Sequence, residues 1–572
     1  MKPKETIQEL DAYPVPLFDE QGYLKLDSNE SDFGPSPKVV DALRLVEPSD
    51  IQYYPFYGEL LKKLAGFHKV NIENIILTAG ADEAISSILG TYLELGQTVL
   101  TVAPSFIMPK IYSRINGLNY LEIPYENKWQ FPSEKFIQNI DNADFIHITT
   151  PNSPTGEVIS QDVISQIINK AGEKAVLIDE TYGNYSGVTN LELIKTNENI
   201  FIVHSFSKDF ALAGLRLGYI VSAEENIKSL RKYLSPYNVS NLTVKAGIAA
   251  IDDVEYFENV KNEMEKSKKV LSEGLKKLGA KIYPSSTNFI CVDFGGKAEF
   301  IYKKLLDNKI KIKYYWQREM LENCFRITVP RLENTFKVIE VLKIKPTIVF
   351  DMDGVLIDAS KSYRVAVQKT FNHFSGKEVS TEELSAAKKL GGLNNDWDLT
   401  EFLLKKYGYE IDKDKLVEVF QTFYTKLAEI EEPLVDCDFF EKLAQNYNLS
   451  IFTGRLKQEA FFTLDKHNFT KYFYPIITMD EVGLHRQKPD CLGLEIIKEK
   501  IITDKIYYLG DTVDDMTCAI TANVEGIGVL PPQDKSEDLK NLLKSKNAMV
   551  VLEQTTYLGK FLKELEDNHA KK

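Results

Sequence analysis

The run Ile200 to Phe206, IFIVHSF, constrains what this chain can fold into more than any other stretch. Short, apolar and rich in β-branched and aromatic residues, it has the pattern of a strand buried on both faces of a parallel sheet. It opens into SFSKDFALAGLRLGY, Ser205 to Tyr219, so Lys208 leaves the carboxyl end of that strand. In open α/β sheets, ligands bind in the crevice outside the carboxyl ends of the strands. A lone lysine there is ordinarily a solvated surface residue. Ser205, Ser207 and Arg216 change that reading, because two hydroxyls and a forked cation suit an anionic group held beside a reactive amine.

Other strands end in the same way. Ala175 to Ile178 runs into Asp179, Glu180, Thr181 and Tyr182, and Phe145 to Thr149 runs into PNSPTG, a rigid turn carrying Asn152. Ile75 to Leu77 leads to TAGADEAI, where Gly80, Ala81 and Asp82 open a helix whose free amides bind phosphate, and Phe106 follows a further strand in APSF. Together these residues meet the needs of pyridoxal phosphate. Lys208 would bond its aldehyde carbon, Asp179 would keep its ring nitrogen protonated, and Tyr182 and Asn152 would donate to its phenolic oxygen. Phe106 would stack on the ring, with Ala81, Asp82, Ser205, Ser207 and Arg216 around the phosphate.

With these motifs in place, residues 1 to about 345 resemble a fold type I aminotransferase of the histidinol-phosphate aminotransferase family. LDSNESDFGPSP at Leu26 to Pro37, the YP at Tyr54 and Pro55, SPYNVSNLT at Ser235 to Thr243, PSSTNFI at Pro284 to Ile290 and CFRITVP at Cys324 to Pro330 follow that family's order. The resemblance implies that Arg326 grips the anionic end of the substrates, with glutamate as amino donor. It also implies a homodimer with shared sites, Tyr54 reaching the cofactor phosphate of a partner subunit. Where the family has a second arginine before CFRITVP, the counterpart in KIKIKYY is Lys313, a point charge without the planar fork. An N-terminal arm to about Ser31, a large cofactor domain over Ile51 to Leu234 and a smaller α/β domain beyond it are expected. The smaller domain would hold a helix at Val254 to Leu278 and strands near Asn288 to Asp293 and Cys324 to Val329.

A chain of 572 residues is longer than such an enzyme needs, so a second unit is expected over 346 to 572. After a helix at Glu333 to Leu342, only Lys343 to Pro346 precedes a new apolar strand, Thr347 to Phe350. Four extended residues span at most about 14 Å, so the two units are expected close together.

That strand delivers DMDGVLID, Asp351 to Asp358, where Gly354 allows a tight turn. Asp351 would attack phosphorus, while Asp353 would protonate the leaving oxygen and later deprotonate water. Leu449 to Phe452 ends in Thr453, Gly454 and Arg455, offering a hydroxyl and an amide to a phosphate, and Lys488 in QKPD adds a cation. Ile506 to Leu509 ends in GDTVDD, where Asp511 with Asp514 or Asp515 would bind magnesium beside Asp351 and Asp353.

In this order the motifs resemble the haloacid dehalogenase superfamily, and Asp353 points to its phosphatases. The resemblance implies a Rossmann-like domain with an inserted α-helical cap, about residues 359 to 448, that closes over substrate and excludes water. The stretch GGLNNDWDL places Asn394, Asn395, Asp396 and Trp397 to read a polar, partly aromatic substrate, or Trp397 to anchor the core of the cap. The fold class is α/β throughout, a fold type I transferase followed by this second domain.

The formal charge of -14 disfavours nonspecific binding to nucleic acid or to an anionic membrane. Cys291, Cys324, Cys437, Cys491 and Cys518 lie far apart without a CxxC, as reduced thiols do, and no apolar run approaches the roughly 18 residues of a membrane span. A cytoplasmic, bifunctional enzyme is expected, an aminotransferase joined to a phosphatase at consecutive steps of histidine biosynthesis. The alternatives are a pair acting on another phosphorylated amino or keto compound, as the related threonine-phosphate decarboxylases illustrate for the scaffold, or a noncatalytic C-terminal module.

Overall fold

A computed structural model describes residues 1–8, 10, 20–125, 129–315, 319–393 and 395–570, the last three without their side chains. The chain divides into two compact units, Met1–Leu342 and Lys343–Lys572.

The first unit is built on a seven-stranded sheet in the order Ile75–Thr78, Gly218–Ser222, Ile200–Ser205, Ala175–Asp179, Phe145–Thr149, Thr98–Ala103, Asn119–Pro124. The central strands are fully buried runs of Ile, Val and Phe, as a sheet covered on both faces requires. Helix Gly80–Tyr92 places Ala84, Ile85, Ile88 and Leu89 against Phe145, Leu177, Phe201 and Val203. Complete burial of each large apolar side chain contributes about 1.5–3 kcal/mol.

Ile200–Ser205 is parallel to Ala175–Asp179 but antiparallel to Gly218–Ser222, which corrects the expectation of parallel neighbours on both sides. The physical reason is the connection. A parallel return needs a crossover of a dozen residues or more, usually a helix. Here residues 206–217, although a dozen in number, hold no helix beyond the short 3-10 turn Ala213–Leu215 that could carry the chain across the sheet, and it comes straight back.

A second sheet in this unit runs Leu24–Leu26, Ile310–Tyr314, Cys324–Thr328, Phe289–Asp293, Lys281–Tyr283. Its pairings are antiparallel except that Leu24–Leu26 joins Ile310–Tyr314 in parallel. Within the stretch expected to be an arm, Leu24–Leu26 is therefore an edge strand that fixes the residues after it. The long helix is Val254–Lys277, and Leu332–Val341 closes the unit.

The second unit carries a six-stranded sheet, parallel at every pairing, in the order Ile476–Ile477, Asn448–Phe452, Thr347–Phe350, Ile506–Gly510, Glu525–Val529, Val550–Leu552. Thr347–Phe350 lies between Asn448–Phe452 and Ile506–Gly510, so the three strands that end in acidic or phosphate-binding motifs are neighbours and their carboxyl ends converge. Between the short antiparallel strands Ile357–Asp358 and Glu432–Pro433 the chain inserts helices Tyr363–Ser375, Thr381–Lys388, Asp396–Lys406 and Lys413–Leu427. Phe371, Trp397, Leu403 and Phe420 give this insertion a core of its own.

Among the described residues no helix is long and apolar enough to cross a membrane, and the five cysteines are free.

Candidate active sites

Lys208, Asp179 and Asn152 stand at the carboxyl ends of three adjacent strands. The Lys208 Nζ donates to the Ser28 carbonyl at 2.7 Å. Burial, and then the Arg326 charge, lowers its pKa to about 8, leaving an appreciable neutral and nucleophilic fraction near neutral pH. Asp179 is buried and accepts from the Thr181 backbone N–H at 2.9 Å. Burial raises its pKa to about 6, and among the described residues no basic side chain pairs with it. A buried carboxylate without a counter-charge is costly, and a protonated ring nitrogen would supply that charge.

The anion end is equally specific. Arg216 pairs with Asp82 at 2.8 Å and lies across the first turn of helix Gly80–Tyr92. At position 80, where φ is +82°, a Cβ would sit 2.7 Å from Arg216 Nη2, so glycine is what admits the guanidinium there. Ser205 and Ser207 are buried nearby on the Lys208 strand exit, with the Ser207 N–H donating to Ser205 Oγ at 3.2 Å. Open amides at the helix start beside a forked cation and buried hydroxyls are the donor set a phosphate takes, so these residues fit pyridoxal phosphate.

The remaining first-unit candidates are spread more widely. The Tyr182 hydroxyl accepts from Asn29 Nδ2 at 2.7 Å. Asn152 donates its amide hydrogens to the Pro104 carbonyl at 3.0 Å, after the neighbouring strand, and to Thr155 Oγ1 at 2.9 Å in its own turn, and accepts from Ser105. Phe106 and Ala81 are half-buried beside the strand exits. Tyr54 is 71% exposed and stacks on Tyr237 with centroids 4.3 Å apart, away from the pocket of its own chain. Arg326 donates to Ser153 Oγ at 3.0 Å and to the Asp27 carbonyl at 2.6 Å, and Lys313 faces it directly across the strand pair.

Asp27, Ser28 and Asn29 thus touch Arg326, Lys208 and Tyr182. Sequence reasoning gave these residues no role. Their signal was the LDSNE motif itself, in which Asp27 and Ser28 act through main-chain carbonyls that no residue type announces, and Asn29 through its side-chain amide.

In the second unit, Lys488 Nζ bridges Asp351 and Asp515 at 2.8 Å each, over the rings of Phe452 and Tyr508. Burial pushes the Asp351 pKa up to about 7 against the pull of Lys488. Oxygens of Asp351, Asp511 and Asp515 lie within 4.8 Å of one another, a set of hard ligands that fits a divalent cation such as magnesium. Gly354, at φ +75°, makes room for this cluster, since a Cβ there would come 2.3 Å from Asp511 Oδ2.

Asp515, left as an alternative to Asp514, is placed by a reciprocal helix cap. The N–H and hydroxyl of Thr512 donate to Asp515 Oδ2 at 3.1 and 2.6 Å, and the Asp515 N–H donates back to Thr512 Oγ1 at 3.2 Å. Asp514 turns instead to the inserted loop, where both its oxygens accept from the Gly392 N–H at 3.0 Å. Asp353, expected among the metal ligands, does not bring its carboxylate to the cluster. Arg455, 2% exposed and fixed by Glu431 at 2.9 Å and Thr463 at 2.8 Å, holds the Asp353 carboxylate at 2.6 Å. Glu431 escaped notice because it acts only through Arg455.

Thr453 is buried and accepts from the Arg455 N–H at 3.2 Å, while Gly454 leaves open space where a side chain would stand. Asp351, Asp353, Gly454 and Asp511 face Arg364, Lys388 and Trp397 of the inserted helices across a cavity of about 80 Å³. Trp397 is 8% exposed, part of the helical core and also of the cavity wall. Asn395 caps helix Asp396–Lys406 and donates to Gln487 at 2.9 Å, and Asp396 pairs with Lys388 at 2.9 Å. Asn394 lies outside the described residues.

Residues 21–342 match the family Aminotransferase class I and II, and residues 348–529 match Haloacid dehalogenase-like hydrolase. The chain belongs to the aminotransferase class I and II family and joins to it a haloacid dehalogenase-like hydrolase, so it is an enzyme in both units. The histidinol-phosphate aminotransferase of Thermoanaerobacter sp. (strain X514) is 32% identical over 324 residues, which is 92% of that protein and 56% of this chain. That of Clostridium kluyveri (strain ATCC 8527) is 32% identical over 351 residues, 97% of its length and 59% of this chain. The crystal structure of histidinol-phosphate aminotransferase from Sinorhizobium meliloti in complex with pyridoxal-5'-phosphate shares the fold, with a TM-score of 0.55 at 24% identity, over 60% of this chain and 98% of that one.

Proposed function

We propose that the first unit is a pyridoxal phosphate-dependent aminotransferase of histidinol-phosphate type with glutamate as amino donor. The second unit is then a magnesium-dependent phosphatase that hydrolyses the product, histidinol phosphate. One observation carries this reading. A Lys208–Asp179 site in a relative of histidinol-phosphate aminotransferases shares its chain with an Asp351–Lys488 centre suited to phosphoryl transfer, so a maker of phosphorylated amines is joined to a remover of phosphate.

Pyridoxal phosphate, when bound, supplies a ring that withdraws electrons from the substrate carbon. Lys208 Nζ provides the amine that holds it and moves the proton at that carbon. Asp179 holds the proton on the ring nitrogen, and Arg216 with Ser205 and Ser207 orients the phosphate end. Arg326 accepts glutamate's carboxylate in one half-reaction and a phosphate in the other, since a guanidinium fork matches both.

In the second unit an Asp351 oxygen attacks phosphorus as the ester P–O bond breaks, and the leaving oxygen takes a proton from Asp353. Water then attacks the same phosphorus and gives its proton to Asp353, the Asp351–phosphorus bond breaks, and inorganic phosphate departs. Lys488 favours the ionised form of Asp351, Thr453 and Gly454 orient the phosphoryl oxygens, and magnesium, if held by Asp351, Asp511 and Asp515, would add positive charge there. The inserted helices act as the cap over this reaction.

Tyr53, Tyr54, Phe56 and Tyr237 are 61%, 71%, 83% and 54% exposed, an aromatic patch that supports a homodimer in which Tyr54 reaches a second copy's cofactor. A boundary near residue 345 and cytoplasmic residence complete the reading. Lys313 in place of an arginine favours a second one, in which the same two reactions act on another phosphorylated amino compound. Incubating the full chain with histidinol phosphate and 2-oxoglutarate tests the first: loss of the amino group and release of phosphate are both expected, and failure of either removes the corresponding half.

A further inference from the structure

The inserted helices bring to the phosphatase cavity two cations that the reaction as described does not use. Arg364 belongs to the first turn of helix Tyr363–Ser375 and Lys388 ends helix Thr381–Lys388, both in the insertion. Both line the cavity with Asp351, Asp511 and Gly454. Arg364 is half-buried and donates to Ser385 Oγ at 3.0 Å, but among the described residues it meets no carboxylate at ion-pair distance. Lys388 is held by Asp396 at 2.9 Å, and Asp396 is itself in the first turn of its helix, where the dipole favours a negative charge. Both cations act on the charge of Asp511.

Charge balance gives these residues a task. The negative charges of Asp351, Asp511 and Asp515 would be matched by Lys488 together with a divalent cation held there, while Arg455 is already engaged by Asp353 and Glu431. A phosphoryl dianion entering this closed space brings two further negative charges that nothing on the sheet side neutralises. An enclosed charge without a partner is expensive, and the unpaired guanidinium across the cavity presents the forked donor geometry that phosphoryl oxygens accept bidentately.

We propose that Arg364, with Lys388 beside it, is a cap-borne clamp on the substrate's phosphoryl group, so that the phosphate site is complete only when the inserted helices sit over the sheet. The inference rests on the phosphatase reading above and deepens it. Because the clamp grips the group common to all phosphomonoesters, Arg364 contributes to binding and turnover of every ester and not to the choice among them. Selection is left to the neutral and acidic part of the wall, around Trp397.

The test uses the full chain with magnesium, comparing wild type with Arg364→Gln, Arg364→Lys and Lys388→Met, each first shown by circular dichroism and thermal melting to be folded. Titration calorimetry with inorganic phosphate gives affinity, and phosphate release is followed from histidinol phosphate, from a carboxylate-bearing ester such as phosphoserine, and from 4-nitrophenyl phosphate. Arg364→Gln is expected to weaken inorganic phosphate about 10- to 100-fold and to lower kcat/KM about 10²- to 10³-fold on all three esters alike. Arg364→Lys is expected to restore part of both, and Lys388→Met to show a smaller loss in the same direction. Unchanged phosphate affinity with a loss confined to the carboxylate-bearing ester overturns the clamp, making Arg364 a reader of a distal acid. Unchanged affinity and turnover overturn it as well. If wild type itself releases phosphate from no ester, the phosphatase reading falls and the clamp with it, an outcome distinct from a working wild type with an indifferent Arg364→Gln.

Discussion

The two catalytic centres are built on one plan and neutralised in opposite ways. Each sits where neighbouring parallel strands end, and each buries charge. Around Asp351 part of the opposite charge is already in place, with Lys488 between Asp351 and Asp515, and Arg455 between Asp353 and Glu431. Around Lys208 it is not. Asp179 is buried with no basic partner among the described residues, and Lys208 has only the Ser28 carbonyl at hydrogen-bonding distance. A site that takes a small inorganic ion and a transient phosphoryl group is balanced in part by its own side chains and in part by that ion. In the reading proposed above, a site that keeps an organic cofactor would draw its counter-charge from the cofactor's ring nitrogen.

The sharpest way to break this comparison is to remove the central residue of each site in turn. Asp351→Asn is expected to lower phosphate release by at least about 10⁴-fold while amino transfer continues at the wild-type rate. Lys208→Ala is expected to do the reverse, abolishing the visible absorbance of bound cofactor and its borohydride trapping on that peptide. Loss of both activities from either substitution in folded protein would mean one composite site.

A second prediction concerns stability. Arg455→Met strands Glu431 in the interior and is expected to cost about 3–5 kcal/mol in the second unit, read from its denaturant midpoint. Asp179→Asn in cofactor-free protein is expected to act in the opposite sense, stabilising the first unit at neutral pH by about 1–3 kcal/mol while weakening cofactor binding. Equal destabilisation by the two changes would show that Asp179 has a counter-charge.

The smallest effect is a titration. The folded pKa of Asp179, about 6, lies above the ordinary carboxylate value. Its charge therefore burdens the cofactor-free fold above that pH and disappears below it. Cofactor retention should run the other way, falling as the pH drops through about 6, because a protonated Asp179 no longer holds the ring nitrogen's proton. Following the visible band of the holoenzyme by gel filtration at a series of pH values checks this, and a flat profile would assign the shift to burial without function.

The strand exits were legible because a strand buried on both faces is a continuous apolar run, so the residue after Phe350, Phe452 or Ile178 stands out as the first polar group. Asp351, Thr453 and Asp179 follow from that alone, while Lys208, Lys488 and Asp511 needed the motifs around them. The antiparallel return of Gly218–Ser222 depends on the short connection before it, which the apolar pattern does not weigh. The choice of Asp515 over Asp514 was legible in principle, since Thr512 and Asp515 have the spacing of a reciprocal cap. The turn of Asp353 away from the metal ligands was not, because it follows from Arg455 being pinned by Glu431, a contact 24 residues apart in the chain.

The central claim is that the second unit consumes what the first one makes. Its most direct test is the ratio of kcat/KM for phosphate release from histidinol phosphate to that from 4-nitrophenyl phosphate and from sugar phosphates, measured on the full-length protein with magnesium. The account predicts a preference for histidinol phosphate of about 100-fold or more, as expected of a site that pairs the amino-bearing part of its substrate. A flat profile, or a preference for a sugar phosphate, would contradict it.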